Sequence, residues 1–242
     1  PSQPPMSALL YVRLPAIPAA IEADWNRWYD DVHMAYRFDK PGFLAARRYV
    51  VTSGTPRYLA LYELESVDAL VSPAYLAHRD WETSQPAGTF EALGPRLPGF
   101  ERGVYEQSAP AARYGVPDAS WLHVAGYDID DAHADEFDAW HAREGAAALA
   151  AIAGVVAFRR MRLTAAPLAP RTGAATGRPR EIVLCDLADD SAATLGALER
   201  FERRVVARFA THRLQASRIV ARCLFSHRVA DAEAHVPSKV SG

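Results

Sequence analysis

The feature that most restricts what this chain can fold into is an internal repeat, because a sequence written twice has to build one unit twice. Setting Val12 against Val124 brings Trp25 onto Phe137, Trp28 onto Trp140, Gly42 onto Gly154, Arg47 onto Arg159 and Arg48 onto Arg160 without a gap. A later run, Tyr58-Leu-Ala-Leu-Tyr-Glu-Leu64, matches Glu181-Ile-Val-Leu-Cys-Asp-Leu187 at a wider offset. The difference is a longer loop in the second copy over 164–179, whose Ala, Pro, Gly and Thr content is that of a turn or linker.

Both copies show the same order of periodicities. A short apolar strand (8–14; 121–127) precedes an amphipathic helix beginning near Ala20 or Asp131. A strand directly after a glycine (43–51; 155–163) is followed by another (58–64; 182–187), a second helical region (66–84; 191–211) and a closing strand (104–107; 217–225). That order is βαββαβ, the ferredoxin-like split βαβ motif. It divides the chain into a first α+β unit over 8–107, a linker over 108–119, a second unit over 120–227 and a tail over 228–242. With 50% hydrophobic and 23% charged residues, the composition is that of a globular protein with a sizeable core.

A formal charge of −2 gives no overall positive field to hold a nucleic acid or an anionic membrane, so a small-molecule substrate is the expected partner. No stretch reaches the roughly 20 apolar residues of a membrane span, and 1–7 lacks the order of a signal peptide, so a cytoplasmic protein is expected. Cys185 and Cys223 suit a reducing compartment. In a βαββαβ sheet the first strand separates the third from the fourth, which disfavours a disulfide between them.

The runs Trp25-Asn-Arg-Trp-Tyr-Asp-Asp-Val-His33, Lys40-Pro-Gly-Phe43, Arg47-Arg-Tyr49, Tyr58 to Leu64 and Ser72-Pro-Ala-Tyr-Leu76 resemble the dimeric α+β barrel superfamily, and within it the EthD-like branch. The likeness covers most of 8–107; the second copy follows in pattern only, with Gly145 where the motif has His33. The resemblance implies two ferredoxin-like units whose sheets meet in a barrel, here within one chain. It implies little chemistry, since the superfamily holds cyclases, lactone isomerases, cofactor-free monooxygenases and haem enzymes.

In the first helix Trp25, Trp28, Tyr29, Val32 and Tyr36 form one apolar stripe facing the sheet, with His33 at its margin. Histidine is the side chain best suited to proton transfer near neutral pH. The second copy has Phe137, Trp140, His141 and Glu144 in the stripe positions, which puts a histidine and a carboxylate on a buried face. A buried carboxylate needs a partner or a proton. Arg159, the polar member of the row Val155, Ala157, Arg159, Met161 and Leu163, is one candidate partner, and a poised His141–Glu144 acid/base pair is the other reading. Arg47 occupies the same place in the first copy. If the row of His123 faces the helix, His123, His141 and Glu144 converge as two histidines and a carboxylate, a set that also ligates non-haem iron. In the second helical region of the first copy, Ala74, Ala77, His78 and Trp81 share the expected inward face, with His78 toward Tyr62 and Tyr75 at a pocket rim.

Nucleotide-binding glycine loops, nucleophile elbows, His-Glu-x-x-His and Cys-x-x-Cys are absent from the sequence. The expectation is therefore an acid–base enzyme of lyase, isomerase, cyclase or dehydratase type that needs no cofactor and no metal. His33, His78, His123, His141 and Glu144 are its catalytic candidates. Trp28, Tyr29, Arg47, Tyr62, Tyr75 and Arg159 would contact a small aromatic or polyketide-like substrate, with Arg47 on a carboxylate or enolate oxygen. The alternatives are a non-catalytic binder of the same ligand and a metal- or haem-dependent oxygenase. Strand edges left over from the barrel could favour a homodimer.

Overall fold

The near-continuous apolar runs 8–14, 58–64 and 182–187 require a sheet buried on both faces, and the observed architecture provides it by closing the strands into one cylinder with helices outside. The computed structural model describes residues 6–108, 119–164, 178–210 and 214–228. Most of the linker, of the loop over 164–179 and of the tail, together with the end of the last predicted helical region, lies outside the described residues. The order strand, helix, strand, strand, helix, strand occurs twice. The first half comprises β1 (Ala8–Leu14), α1 (Glu22–Trp28), α2 (Ala35–Phe38), β2 (Phe43–Ser53), β3 (Tyr58–Leu64), α3 (Pro73–Ser84), α4 (Phe90–Leu93) and β4 (Glu101–Gln107). The second comprises β5 (Trp121–Asp128), α5 (Ala134–Trp140), α6 (Ala146–Ala150), β6 (Val155–Leu163), β7 (Glu181–Leu187), α7 (Ala192–Arg208) and β8 (Gln215–Arg228).

The strands close in the order β1-β3-β2-β8-β5-β7-β6-β4, and the halves meet where β2 pairs with β8 and β4 with β6. Leu9, Tyr11, Tyr49, Leu59, Leu61, Leu122, Val124, Met161, Ile182 and Leu184 fill the interior. Each such fully buried side chain contributes roughly 1.5–3 kcal/mol. The opposite rows, Leu10, Val12, Leu14, Tyr58, Ala60 and Tyr62 in one half and Ala125, Tyr127, Val183 and Cys185 in the other, pack outward against helices. Cys185 and Cys223 are both free thiols, and β5 lies between their strands.

Arg47 and Arg159 belong to the interior row, away from the helices and from the ligand role expected of them. Arg47 reaches Asp186 Oδ1 at 2.7 Å and Glu63 Oε1 at 2.5 Å, while Arg159 reaches Asp186 Oδ2 at 3.0 Å and also pairs with Glu63. Two arginines and two carboxylates, all buried, thus form a closed ring with one arginine and one carboxylate from each half. Burial alone would raise the Glu63 carboxyl, but Arg159 and Arg47 hold it down at about 2. Because the ring is self-satisfied, it has no spare charge for a substrate.

The repeat is not in a single phase. The register Ala8↔Leu64 and Trp121↔Leu187 makes Leu10, not Tyr11, the counterpart of His123, so Val12 and Val124 face opposite sides of the sheet. From the first helix of each half through β2 and β6 the ungapped match holds: both strands bulge at the same place, between Phe43 and Ala45 and between Val155 and Ala157. Gly42 and Gly154 precede them with φ of 84° and 91°, a region an L side chain enters only with strain.

Candidate active site

The wall of the site is a helix that changes pitch. Between α1 and α2 the backbone makes a π-turn, Tyr29–His33, in which the Met34 N–H donates to the Tyr29 carbonyl at 2.9 Å. A π-turn accommodates an extra residue in the helix and so rotates the residues after it. The stripe expected from a uniform wheel therefore breaks: Val32 and Tyr36 move to the margin, while Trp25, Tyr29, Met34 and Arg37 are buried. His33 turns inward beside Tyr29, with ring centroids 4.4 Å apart. The second half has the same turn, His141–Gly145, with the Ala146 N–H donating to the His141 carbonyl. There it swings Glu144 out to solvent and brings Gly145 in, which removes the expected burial of Glu144 and its pairing with Arg159.

A cavity lies between this helix, α3 and the outer face of β1 and β3. Leu10, Val12, Leu14 and Tyr62 form its floor, Trp28, Tyr29, His33 and Arg37 one side, Tyr75 and Glu82 another. Phe90, Glu91, Gly94 and Pro95, around α4, cover it together with Phe100 and Arg102. It measures about 40 Å³ open to the centre of a water-sized sphere, room for roughly three waters. An apolar cavity that admits benzene measures roughly 150 Å³, so an aromatic ring enters here only as the cover around α4 shifts.

Glu82 organises the polar end. It is 3% exposed, and Arg37 Nη2 donates to both its oxygens at 2.9 and 3.1 Å. His33 Nδ1 and His78 Nε2 each lie 3.4 Å from Glu82 Oε1, long for a formed bond but close enough for charge to act. Burial would raise the Glu82 carboxyl, yet Arg37 and the two histidines hold it well below the usual carboxylate range. Burial, reinforced by Arg37, lowers His33 to about 3, so at pH 7 it is neutral. The Tyr29 and Tyr62 hydroxyls meet at 3.2 Å, and burial raises both phenols.

Of the expected site residues, Trp28, Tyr29, His33, Tyr62 and Tyr75 come together here. Tyr75 is fully buried rather than at a rim. His78 is set differently from expectation: it is not among the cavity's lining residues, stands between Tyr36 and Trp81, and reaches Glu82 from behind. The inward face of α3 is Tyr75 and Glu82, while Ala74, Ala77 and Trp81 are exposed. A wheel read by hydropathy chooses Trp81 over Glu82; the ion pair with Arg37 reverses that choice.

Arg37 and Glu82 are the functional candidates that sequence reasoning missed. Their signal was the repeat itself. The register of the helices, taken from the serine N-caps Ser72 and Ser191, sets Glu82 against Phe201 and His78 against Ala197, and Arg37 falls on Leu149. The first half has a charged cluster where the second has an apolar one.

In the second half, His123 faces the helices but pairs with Glu202 on α7, Nε2 to Oε1 at 2.7 Å, and Glu202 in turn accepts from Arg218. His141 is buried among Phe137, Trp140 and Phe158, and burial lowers it to about 4. The expected convergence of His123, His141 and Glu144 therefore does not form. Among the described residues no three His, Cys, Asp or Glu side chains cluster as metal ligands.

No family model and no curated protein matches the chain. Solved structures do match in shape. An anthrone oxidase-like protein is 10% identical over 93% of this chain and 93% of its own, with a TM-score of 0.61. A candidate monooxygenase from Lactobacillus acidophilus is 8% identical over 92% and 97%, at 0.55. A heme-binding protein from Thermus thermophilus is 11% identical over 95% and 94%, at 0.51. These likenesses set the fold among ferredoxin-like α+β barrel proteins. Haem does not fit the cavity between α3 and β1, because a tetrapyrrole far exceeds its space. No step of the chemistry proposed for this cavity involves haem.

Proposed function

We propose that the cavity of the first half is the active site of an acid–base enzyme acting on a small single-ring aromatic metabolite, with His33 as general base. The chain is read as a member of the EthD-like branch on its Trp25 to His33 motif. The observation that carries the proposal is the neutral His33 aimed at a buried anion, Glu82, in a cavity whose other walls combine aromatic rings with the aliphatic floor of β1. Neutral imidazole has a lone pair to accept a proton from a carbon or phenol acid. Glu82 offsets only part of the cost that burial and Arg37 place on the imidazolium so formed, so His33 is a weak base whose protonated form is short-lived, and the ring is kept in place by Trp28 and Tyr29 on its flanks. Tyr62 and Tyr29 supply hydroxyls near the developing oxyanion, and their raised phenols remain protonated donors at neutral pH. His78 acts on Glu82 as a positioning residue, and Arg37 fixes the same carboxylate through Nη2. Isomerisation, cyclisation, dehydration and C–C cleavage through an enolate all begin with this proton abstraction.

Exchange of carbon-bound protons with D2O isolates that step without knowledge of the natural substrate. Wild-type protein should accelerate deuterium uptake into the methyl group of 2′-hydroxyacetophenone, followed by NMR, and His33→Gln should lower the rate by about a hundredfold or more. Exchange no faster than in buffer alone, or an undiminished rate in His33→Gln, would contradict the assignment. Binding without exchange would mark a binding protein instead.

A further inference from the structure

We propose that the ligand of this cavity is an aromatic oxyanion, a phenolate or the enolate of a ring ketone, whose oxygen is held by the Nη1 amino group of Arg37. The inference rests on the reading of the cavity as a site for an aromatic ring and specifies which kind of ring it takes.

A guanidinium carries five N–H donors in a fixed plane. Arg37 commits Nη2 to Glu82, while its Nε and Nη1 are buried without any hydrogen-bond acceptor. The side chain is 8% exposed, so bulk solvent does not reach these donors and their partner has to come from within the cavity. Buried donors left open are unusual, because each forfeits the hydrogen bonds that it had in water. The Tyr75 and Tyr62 rings lie 5.5 and 6.0 Å from the guanidinium carbon and stabilise its charge, but they give it no acceptor. Arg48, one layer away against Tyr29, makes the contrast plain. It sits over three rings and shares an open Nε, as several buried arginines here do, but both its amino groups are bonded, Nη1 to Asp30 and Nη2 to Asn26, so the open Nη1 is what sets Arg37 apart.

The carboxylates of the cavity are already engaged. Glu82 receives Arg37 and faces both histidines, and Glu91 accepts the Trp28 indole N–H at 3.3 Å. His33 is neutral. What the walls still offer a ligand is therefore donor capacity beside a fixed positive charge, at the polar end of an aromatic slot. A flat ring with one charged oxygen satisfies both parts. A second carboxylate or a bare hydrocarbon ring satisfies one each.

The test uses 4-nitrophenol, whose visible band distinguishes phenolate from phenol, and 4-nitroaniline, a neutral ring of similar shape with no acceptor anion. Arg37→Lys keeps a cation for Glu82 but removes the planar amino group, and a thermal melt of the variant establishes that it folds. Wild type should bind 4-nitrophenol as the phenolate, and Arg37→Lys should weaken that binding about tenfold or more while leaving 4-nitroaniline affinity unchanged. Phenolate affinity unaffected in Arg37→Lys, or a bound probe showing the neutral phenol band, overturns the inference and leaves the aromatic cavity standing. Should neither probe bind wild type, the inference falls together with the reading beneath it. If Arg37→Lys does not fold, the band of the bound probe in wild type decides alone.

Discussion

His33, half-buried, and His141, buried, are both histidines held neutral, and the difference between them lies in what each faces. His33 faces a carboxylate across a cavity, whereas His141 is enclosed by Phe137, Trp140 and Phe158. For His141 the folded pKa of about 4 lies below the ordinary 6.5. Above pH 6.5 neither the folded nor the unfolded chain protonates it, so it contributes no pH dependence there. Below 6.5 the unfolded chain takes up a proton that the folded site refuses, and stability falls until the pH reaches about 4. His141→Phe should therefore lose less melting temperature than wild type between pH 7 and pH 5, a relative gain of up to about 2 kcal/mol at pH 5. Equal losses in parallel thermal melts would show that His141 is not held neutral. At this scale much of the site is legible: Trp28, Tyr29, His33, Tyr62 and Tyr75 can all be read from spacing. Arg37 and Glu82 cannot, because a charged residue on a helix counts as solvent-facing until its partner on another helix is known.

Between residue and fold, the π-turn decides which side chains work. A uniform wheel places His33 at the edge of the stripe and Glu144 on it; the extra residue of the turn reverses both. Nothing in composition marks such a turn, since it depends on the wider helix fitting the groove beneath it. The turn has opposite consequences in the two halves because Gly145 stands where His33 would be. A Cβ on Gly145 would come within 3.1 Å of the His141 ring and of Trp140, so the second half is packed shut at that point. The glycine before β6 is legible in sequence and has a backbone cause. Gly154 has φ of 91°, and a Cβ there would lie 2.4 Å from Thr194 Oγ1 on α7. Gly154→Ala should cost about 1–3 kcal/mol, seen as a lower denaturant midpoint with an unchanged slope. A midpoint equal to wild type would mean that the turn relaxes at no cost.

Across the molecule, the order of elements is readable from the repeat, and barrel closure follows from the family likeness. The strand phase is not readable: β1 and β5 are displaced by one residue relative to the rest of the repeat, and a one-residue shift exchanges the faces of a strand. The same blindness to faces puts Arg47 and Arg159 beside the helices, whereas they sit inside the barrel in a ring with Glu63 and Asp186 that ties the halves together. With that ring satisfied and the interior between helices and sheet of the second half filled by Phe137, Trp140, Phe201 and Phe209, the cavity proposed as the active site is the one in the first half. The most direct test is 15N NMR of protein labelled in its eight histidines, recorded from pH 7 to pH 4 with and without 4-nitrophenol. His33 should remain neutral across this range and its ring nitrogens should shift when the probe binds, while those of His123 and His141 do not move. A His33 that titrates near 6.5, or a probe that shifts His123 or His141 and leaves His33 unchanged, would contradict the assignment of the site to the first half.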